Sequence, residues 1–111
     1  MKIWKDGDAQ GVTPPNHFGG LTVLDVVPFK GSNFSVQVSK APPGGGGEMH
    51  HHDSWSQVFY VVDGELTFET GKESFTLTKG QAVLFEPKDP HHTRNDSDRE
   101  STCLVITVDL G

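Results

Sequence analysis

From Leu21 onward, apolar and polar residues alternate in short bursts broken by Gly, Pro, Asn and Asp. LTVLDVV at 21–27 and NFSVQVS at 33–39 are β-rich, and Phe34, Val36 and Val38 alternate cleanly with polar neighbours. A two-residue period is the signature of a half-buried strand. SQVFYVVDGELTFET holds two such runs joined at Asp63-Gly64, a pair that favours a tight hairpin turn. In the second run Leu66 and Phe68 share one face, while Glu65, Thr67 and Glu69 share the other. Gly71-Lys72 makes the next turn, and SFTLT at 74–78 sets Phe75 and Leu77 inward. AVLFE at 82–86 and STCLVITVD at 101–109 complete a series of eight to ten short strands without a convincing helix. Strands spaced in this way predict an antiparallel sandwich or barrel.

Two segments stand outside the alternation. Residues 1–20 carry turn formers at high density and are read as an N-terminal arm over a single barrel domain of residues 21–111. APPGGGG at 41–47 opposes helix at every position and is read as a loop feeding a strand.

Composition narrows the partners. With 111 residues and 33 % hydrophobic residues there is room for one modest core, so pairing with a second copy would bury more apolar surface. A net charge of −6, with nine Lys and Arg scattered singly, disfavours nucleic acid. The longest apolar run, Val58 to Val62, is too short to span a bilayer, and the N-terminus lacks the apolar core of a signal peptide. One cysteine, Cys103, cannot form an internal disulfide and is read as a small buried hydrophobe. A cytoplasmic protein with a small-molecule ligand is the simplest expectation.

Five of the six histidines fall in two groups, His50-His51-His52 and His91-His92. Strand alternation puts His50 and His52 on one face and His51 on the other. Gln57 opens the next strand and can point into the same interior, and a closed barrel brings His91 alongside. A solvent-exposed loop explains any one histidine alone. An HxH pair with a second cluster after a PxxPH turn points instead to one divalent ion, with Zn, Fe, Ni, Mn or Cu all suited to three imidazoles.

At these residues the sequence resembles the cupin superfamily. The first cupin motif runs Gly, five residues, His-x-His, three or four residues, Glu, six residues, Gly. Gly44, His50-His51-His52, Gln57 and Gly64 follow it, with Gln in place of the usual Glu. The second motif runs Gly, five residues, Pro-x-Gly, two residues, His, three residues, Asn. Gly80, His91 and Asn95 keep its spacing, whereas Pro87 sits one place late and Lys88-Asp89 stand where the inner Gly belongs. The Pro90-His91 step and both spacings favour His91 over His92 as the third ligand. Together the motifs cover residues 44–95. The resemblance implies an all-β double-stranded β-helix, or jelly roll, with an internal metal and commonly a homodimer. It does not imply one reaction, because one fold serves many.

Gln57 changes the expected chemistry. A neutral amide leaves a divalent ion on three imidazoles with its full charge, favouring anionic or enolisable substrates that bring their own oxygens. Gln57 can also stay unligated and hydrogen-bond a bound water, or be a core residue without metal contact. Two enzyme classes fit: a sugar-acid lyase or isomerase, which the Gln in small pectin-degradation cupins resembles, and an Fe-dependent dioxygenase cleaving a diketone or enol. The first needs a general acid or base. Arg94, Glu48 and Tyr60 are the weak catalytic candidates, with Tyr60 read as facing away from Gln57. Trp55 lines the mouth or covers the core, and His17 is a loop histidine unless the arm lids the site. A non-enzymatic binding or sensing module with a structural metal is the competing reading.

Overall fold

The computed structural model describes residues 1–5 and 7–111. Its strands are β1 (His17–Phe18), β2 (Thr22–Val27), β3 (Phe34–Ala41), β4 (Gly46–His50), β5 (Trp55–Asp63), β6 (Glu65–Glu69), β7 (Ser74–Thr78), β8 (Ala82–Phe85), β9 (His91–Arg94) and β10 (Ser101–Asp109). They form two five-stranded sheets, ordered β1-β4-β9-β6-β7 and β2-β3-β10-β5-β8, with every pairing antiparallel. The chain alternates between the sheets, which is the jelly-roll double-stranded β-helix. Among the described residues no helix is long and apolar enough to cross a membrane.

Between the sheets lie Leu21, Ala41, Val61, Leu66, Phe68, Phe85, Cys103 and Val105, all buried. Phe59 meets Phe68 edge-on at 5.4 Å, Phe75 stacks on Phe68 at 5.5 Å, and Phe85 lies 5.8 Å from Phe59. Edge-on and stacked aromatic pairs of this kind add to area burial. Leu21, Phe59, Leu66 and Val105 also line the cavity that holds the buried polar side chains. Burial pushes the Cys103 thiol up to about 12, so it behaves as an apolar side chain.

Asp63-Gly64 is not a hairpin. β5 and β6 lie in different sheets, so the pair is the corner where the chain crosses over. Gly64 takes φ +75°, and a Cβ there would stand 2.7 Å from the Glu100 carbonyl oxygen. The glycine serves a close backbone crossing rather than a two-residue turn. At Gly71 the expectation holds, since β6 and β7 pair from Glu65↔Thr78 to Glu69↔Ser74.

The predicted loop at 41–47 is shorter in the structure. Ala41 ends β3, and Gly46 and Gly47 already belong to β4. A Cβ on Gly46 would collide with the Thr93 carbonyl oxygen, so the missing side chain lets β4 lie against β9. Arm residues join both sheets: Val12 exchanges backbone hydrogen bonds with Val23 at 3.0 and 2.7 Å, while His17 and Phe18 pair with Gly47 and Gly46.

The alternation in β3 has its apolar side outward. Ser35 and Ala41 are buried, and Gln37 and Ser39 face the interior. Val36, Ile106, Val58 and Leu84 are therefore neighbours across the outer face of the second sheet.

Candidate metal centre

His50 and His91 sit opposite each other on β4 and β9. A bulge between Gly47 and His50 shifts the phase of β4, turning His50 inward and leaving Glu48 and Met49 both exposed. His52 lies two residues beyond the strand. Its carbonyl accepts a 2.7 Å hydrogen bond from the Lys88 N–H, which ties the segment to the β8–β9 turn. One nitrogen from each of His50, His52 and His91 lies within 4.8 Å of the other two. Imidazoles bound to one ion at about 2.1 Å have nitrogens at most about 4 Å apart, so small ring adjustments close the set.

Lys88 occupies the place where the resembled motif has glycine, and its φ is +72°. A non-glycine residue holds the left-handed turn that delivers His91, at a cost of about 1–2 kcal/mol. The motif's geometry survives without its residue.

The backbone fixes how the rings present themselves. A carbonyl only accepts, so His50 Nδ1–H donates to Glu48 O at 2.7 Å and His91 Nδ1–H to Asp89 O at 3.3 Å. In both rings the lone pair is then on Nε2, the arrangement seen when a second shell orients metal-binding histidines. The His91 ring is 1 % exposed, stacked on Phe85 at 4.3 Å and edge-on to Phe59 at 5.8 Å. His52 stacks on Trp55 at 4.4 Å.

Burial disfavours the charged form of His91 and His52. Burial, reinforced by the neighbouring His50, lowers His91 to about 4. Burial first, then His50 and His51, lowers His52 as well. Neutral imidazole is the form that binds a cation.

Gln57, 8 % exposed on β5, faces these rings from the second sheet. Its Nε2 donates to Thr107 Oγ1 at 3.0 Å on the adjacent β10. Gln57 Oε1 and His91 Nε2 are both buried and have no hydrogen-bond partner among the described residues. Leaving such an atom unmatched costs about 1–3 kcal/mol, and two of them at one cavity call for a bound group. Two acceptors with nothing to accept from suit a cation.

The cavity holds about 200 Å³ and is lined by Pro14, His17, Gln37, Ser39, Trp55 and Thr93 besides the residues above. Among the described residues its lining contains no carboxylate, lysine, arginine, tyrosine or cysteine. The weak catalytic candidates lie elsewhere. Arg94 is on the outer face of β9, bonded to Glu69 and Asp96 at 2.7 Å each. Those two carboxylates raise its pKa. Tyr60 is 42 % exposed on the outer face of β5, and Glu48 is exposed beside the bulge. His51 pairs with exposed Asp53 at 3.3 Å, and His92 stacks on Phe18 at 6.1 Å. Sequence reasoning missed Thr107, the anchor of Gln57, although the alternation of Cys103, Val105 and Thr107 in β10 carried the signal.

A model of the cupin domain matches residues 37–107. The uncharacterized protein MJ1618 of Methanocaldococcus jannaschii is 27 % identical over 67 residues, 60 % of this chain and 54 % of that one, so the match spans about half of that relative. A predicted oxalate decarboxylase from Thermotoga maritima superposes with a TM-score of 0.86 at 14 % identity, covering 98 % of this chain and all of that one. The polyketide cyclase RemF from Streptomyces resistomycificus gives 0.82 at 19 %, covering 97 % and 79 %. KdgF from Halomonas sp. gives 0.79 at 19 %, covering 97 % and 94 %. At these identities the likeness is one of fold. The domain match extends over more than half of the chain, and on that ground this protein belongs to the cupin family.

Proposed function

We propose that this protein is a metalloenzyme in which His50, His52, Gln57 and His91 hold one divalent ion, and that it acts on a small organic substrate bringing its own oxygen ligands. The observation carrying this reading is the pair of buried, unpartnered acceptors, Gln57 Oε1 and His91 Nε2, beside the other two imidazoles. A divalent ion there supplies Lewis acidity and, if it is iron, electrons for oxygen chemistry. Of the two classes the sequence left open, the lining favours the Fe-dependent dioxygenase. A lyase or isomerase wants an acid or base in place, and among the described residues the lining carries no carboxylate, tyrosine or lysine, which leaves His17 alone for that work. The chain's own contribution is to shape the cavity, with Trp55 and Phe59 bounding an apolar side and Gln37 and Ser39 a polar one. The same lining lends support to a second reading, a binding module whose metal anchors a ligand.

Metal analysis of freshly purified protein is expected to give close to one ion per chain. Re-adding the ion at about 100 times its Kd should raise Tm by roughly 10 °C, from about 2.7 kcal/mol of linkage. Oxygen uptake by the iron-loaded protein with an enolisable 1,3-diketone then supports the dioxygenase. Cleavage of an unsaturated uronate moves the assignment to the lyase class, and a loaded but inert protein to the binding module. Protein that neither carries nor gains metal overturns the reading.

The reading includes a homodimer joined through the outer face of the second sheet. Val36, Ile106, Val58 and Leu84 form an unbroken apolar row there, with Leu84 53 % exposed. Patches of this kind on small proteins mark interaction sites. Light scattering is expected to give twice the chain mass for the wild type and the chain mass for Ile106→Glu. A monomeric wild type removes the dimer from the reading.

A further inference from the structure

The segment from Val12 to Phe18 crosses the mouth of the cavity and is pinned on both sides. Val12 is bonded to Val23 in one sheet, and His17 and Phe18 are paired with β4 in the other. Between these pins the Glu48 N–H donates to Asn16 O at 2.9 Å, and Thr13 Oγ1 donates to Leu21 O at 2.9 Å. Alternation in β1 turns Phe18 out onto His92 and His17 in, where it joins the cavity lining. The His17 ring lies 6.1 Å from that of His50, outside the set of three converging nitrogens.

Two features orient this fourth histidine. Its Nδ1–H donates to Pro15 O at 2.9 Å, which leaves the lone pair on Nε2. Its ring rests on the bare backbone of Gly47, where an added Cβ would stand 2.9 Å from Cδ2 and 3.0 Å from Nε2. The glycine run that the sequence marks as a loop is thus, at Gly47, the bed for the ring. Pro14 and His17 are the strap's residues in the lining.

We propose that His17 is a ligand-binding residue whose Nε2 accepts a hydrogen bond from an O–H or N–H of the molecule held at the metal. It thereby selects ligands that chelate through oxygen and carry a donor next to the chelating atoms, such as hydroxamic acids with a free N–H. The inference rests on the metal-site reading above. It makes the strap part of the recognition surface rather than a cover. In a lining without charged side chains, one fixed acceptor discriminates strongly, because an unmatched polar group is costly in such surroundings.

The test uses Co(II)-loaded protein and its visible spectrum, titrated with acetohydroxamate and with N-methylacetohydroxamate. Both chelate through two oxygens, but only the first has an N–H. Wild-type protein is expected to prefer acetohydroxamate by about tenfold, the scale of one hydrogen bond. His17→Phe keeps a ring but no acceptor, and should abolish the preference while leaving Co(II) affinity within about threefold. Gly47→Ala, which pushes the ring off its bed without touching a ligand, should do the same, and His17→Gln should retain part of the preference. A preference that persists in both His17→Phe and Gly47→Ala, or that is absent from the wild type, overturns the inference alone. Protein that takes up no Co(II) overturns the metal-site reading beneath it.

Discussion

Replacing His91 with leucine should abolish metal binding and leave the metal-free protein within about 1 kcal/mol of wild-type stability. The two halves of that result have separate causes. His91 is the most enclosed of the three imidazoles, and its Nε2 is buried without a partner. Leucine removes that unmatched atom, a gain of about 1–3 kcal/mol, and loses the stack on Phe85 together with the hydrogen bond to Asp89 O, a combined loss of about 1–3 kcal/mol. The opposing effects nearly cancel. Metal binding has no such offset. Changes to second-shell groups already lower affinity by roughly 10–100-fold, and loss of a ligand should exceed that. The metal-dependent rise in Tm is therefore expected to vanish in His91→Leu, and to persist in His92→Leu, whose ring lies on the outer face against Phe18. Equal rises in all three proteins would sink the assignment of His91 as a ligand.

The contrast between His91 and His92 shows what the sequence could convey. Motif spacing and a two-residue period placed one ring inside and its neighbour outside, and both are backbone properties that tertiary structure leaves alone. The same period, counted from His91, already puts Arg94 outward, where Glu69 and Asp96 hold it. Counting alone would have removed it from the candidates. Glu48 could not be placed that way, because the bulge between Gly47 and His50 changes the phase and a bulge leaves little trace in sequence. Asp63-Gly64 failed for a related reason. A left-handed glycine records a local dihedral angle, not which strand the chain meets next, and here the next strand is in the other sheet. β3 was legible as a strand but not as to its buried face. Its inward positions are polar, with Ser35, Gln37 and Ser39 inside, so apolar alternation marks the outer surface instead. His17 was legible only as a loop histidine or part of a lid, because its place depends on a two-residue pairing with β4, too short to produce a pattern.

As the pH falls from about 6.5 to about 4, metal-free wild-type protein should lose about 3 kcal/mol more stability than His91→Leu does. The sign follows from where the proton binds. In the unfolded chain His91 takes a proton near its ordinary value of 6.5, whereas in the folded barrel burial delays it to about 4. Throughout that window the unfolded chain binds more protons, so acid favours unfolding. Below about 4 both states are protonated and this group adds no further loss. His52, lowered by burial and by His50 and His51, acts in the same direction. Surface carboxylates also titrate in this range, so the informative quantity is the difference between the two proteins in urea unfolding with EDTA at pH 7, 5.5 and 4. The leucine variant should end as the more stable of the two at pH 4. Parallel curves would mean that His91 takes its proton in the folded barrel at little cost, and that the cavity is wetter than its lining implies. A neutral His91 above this window is also what leaves its Nε2 lone pair free for a cation at neutral pH. The acid sensitivity of the metal-free barrel and its capacity to hold an ion therefore have one source, a lone pair buried with nothing of its own to bind.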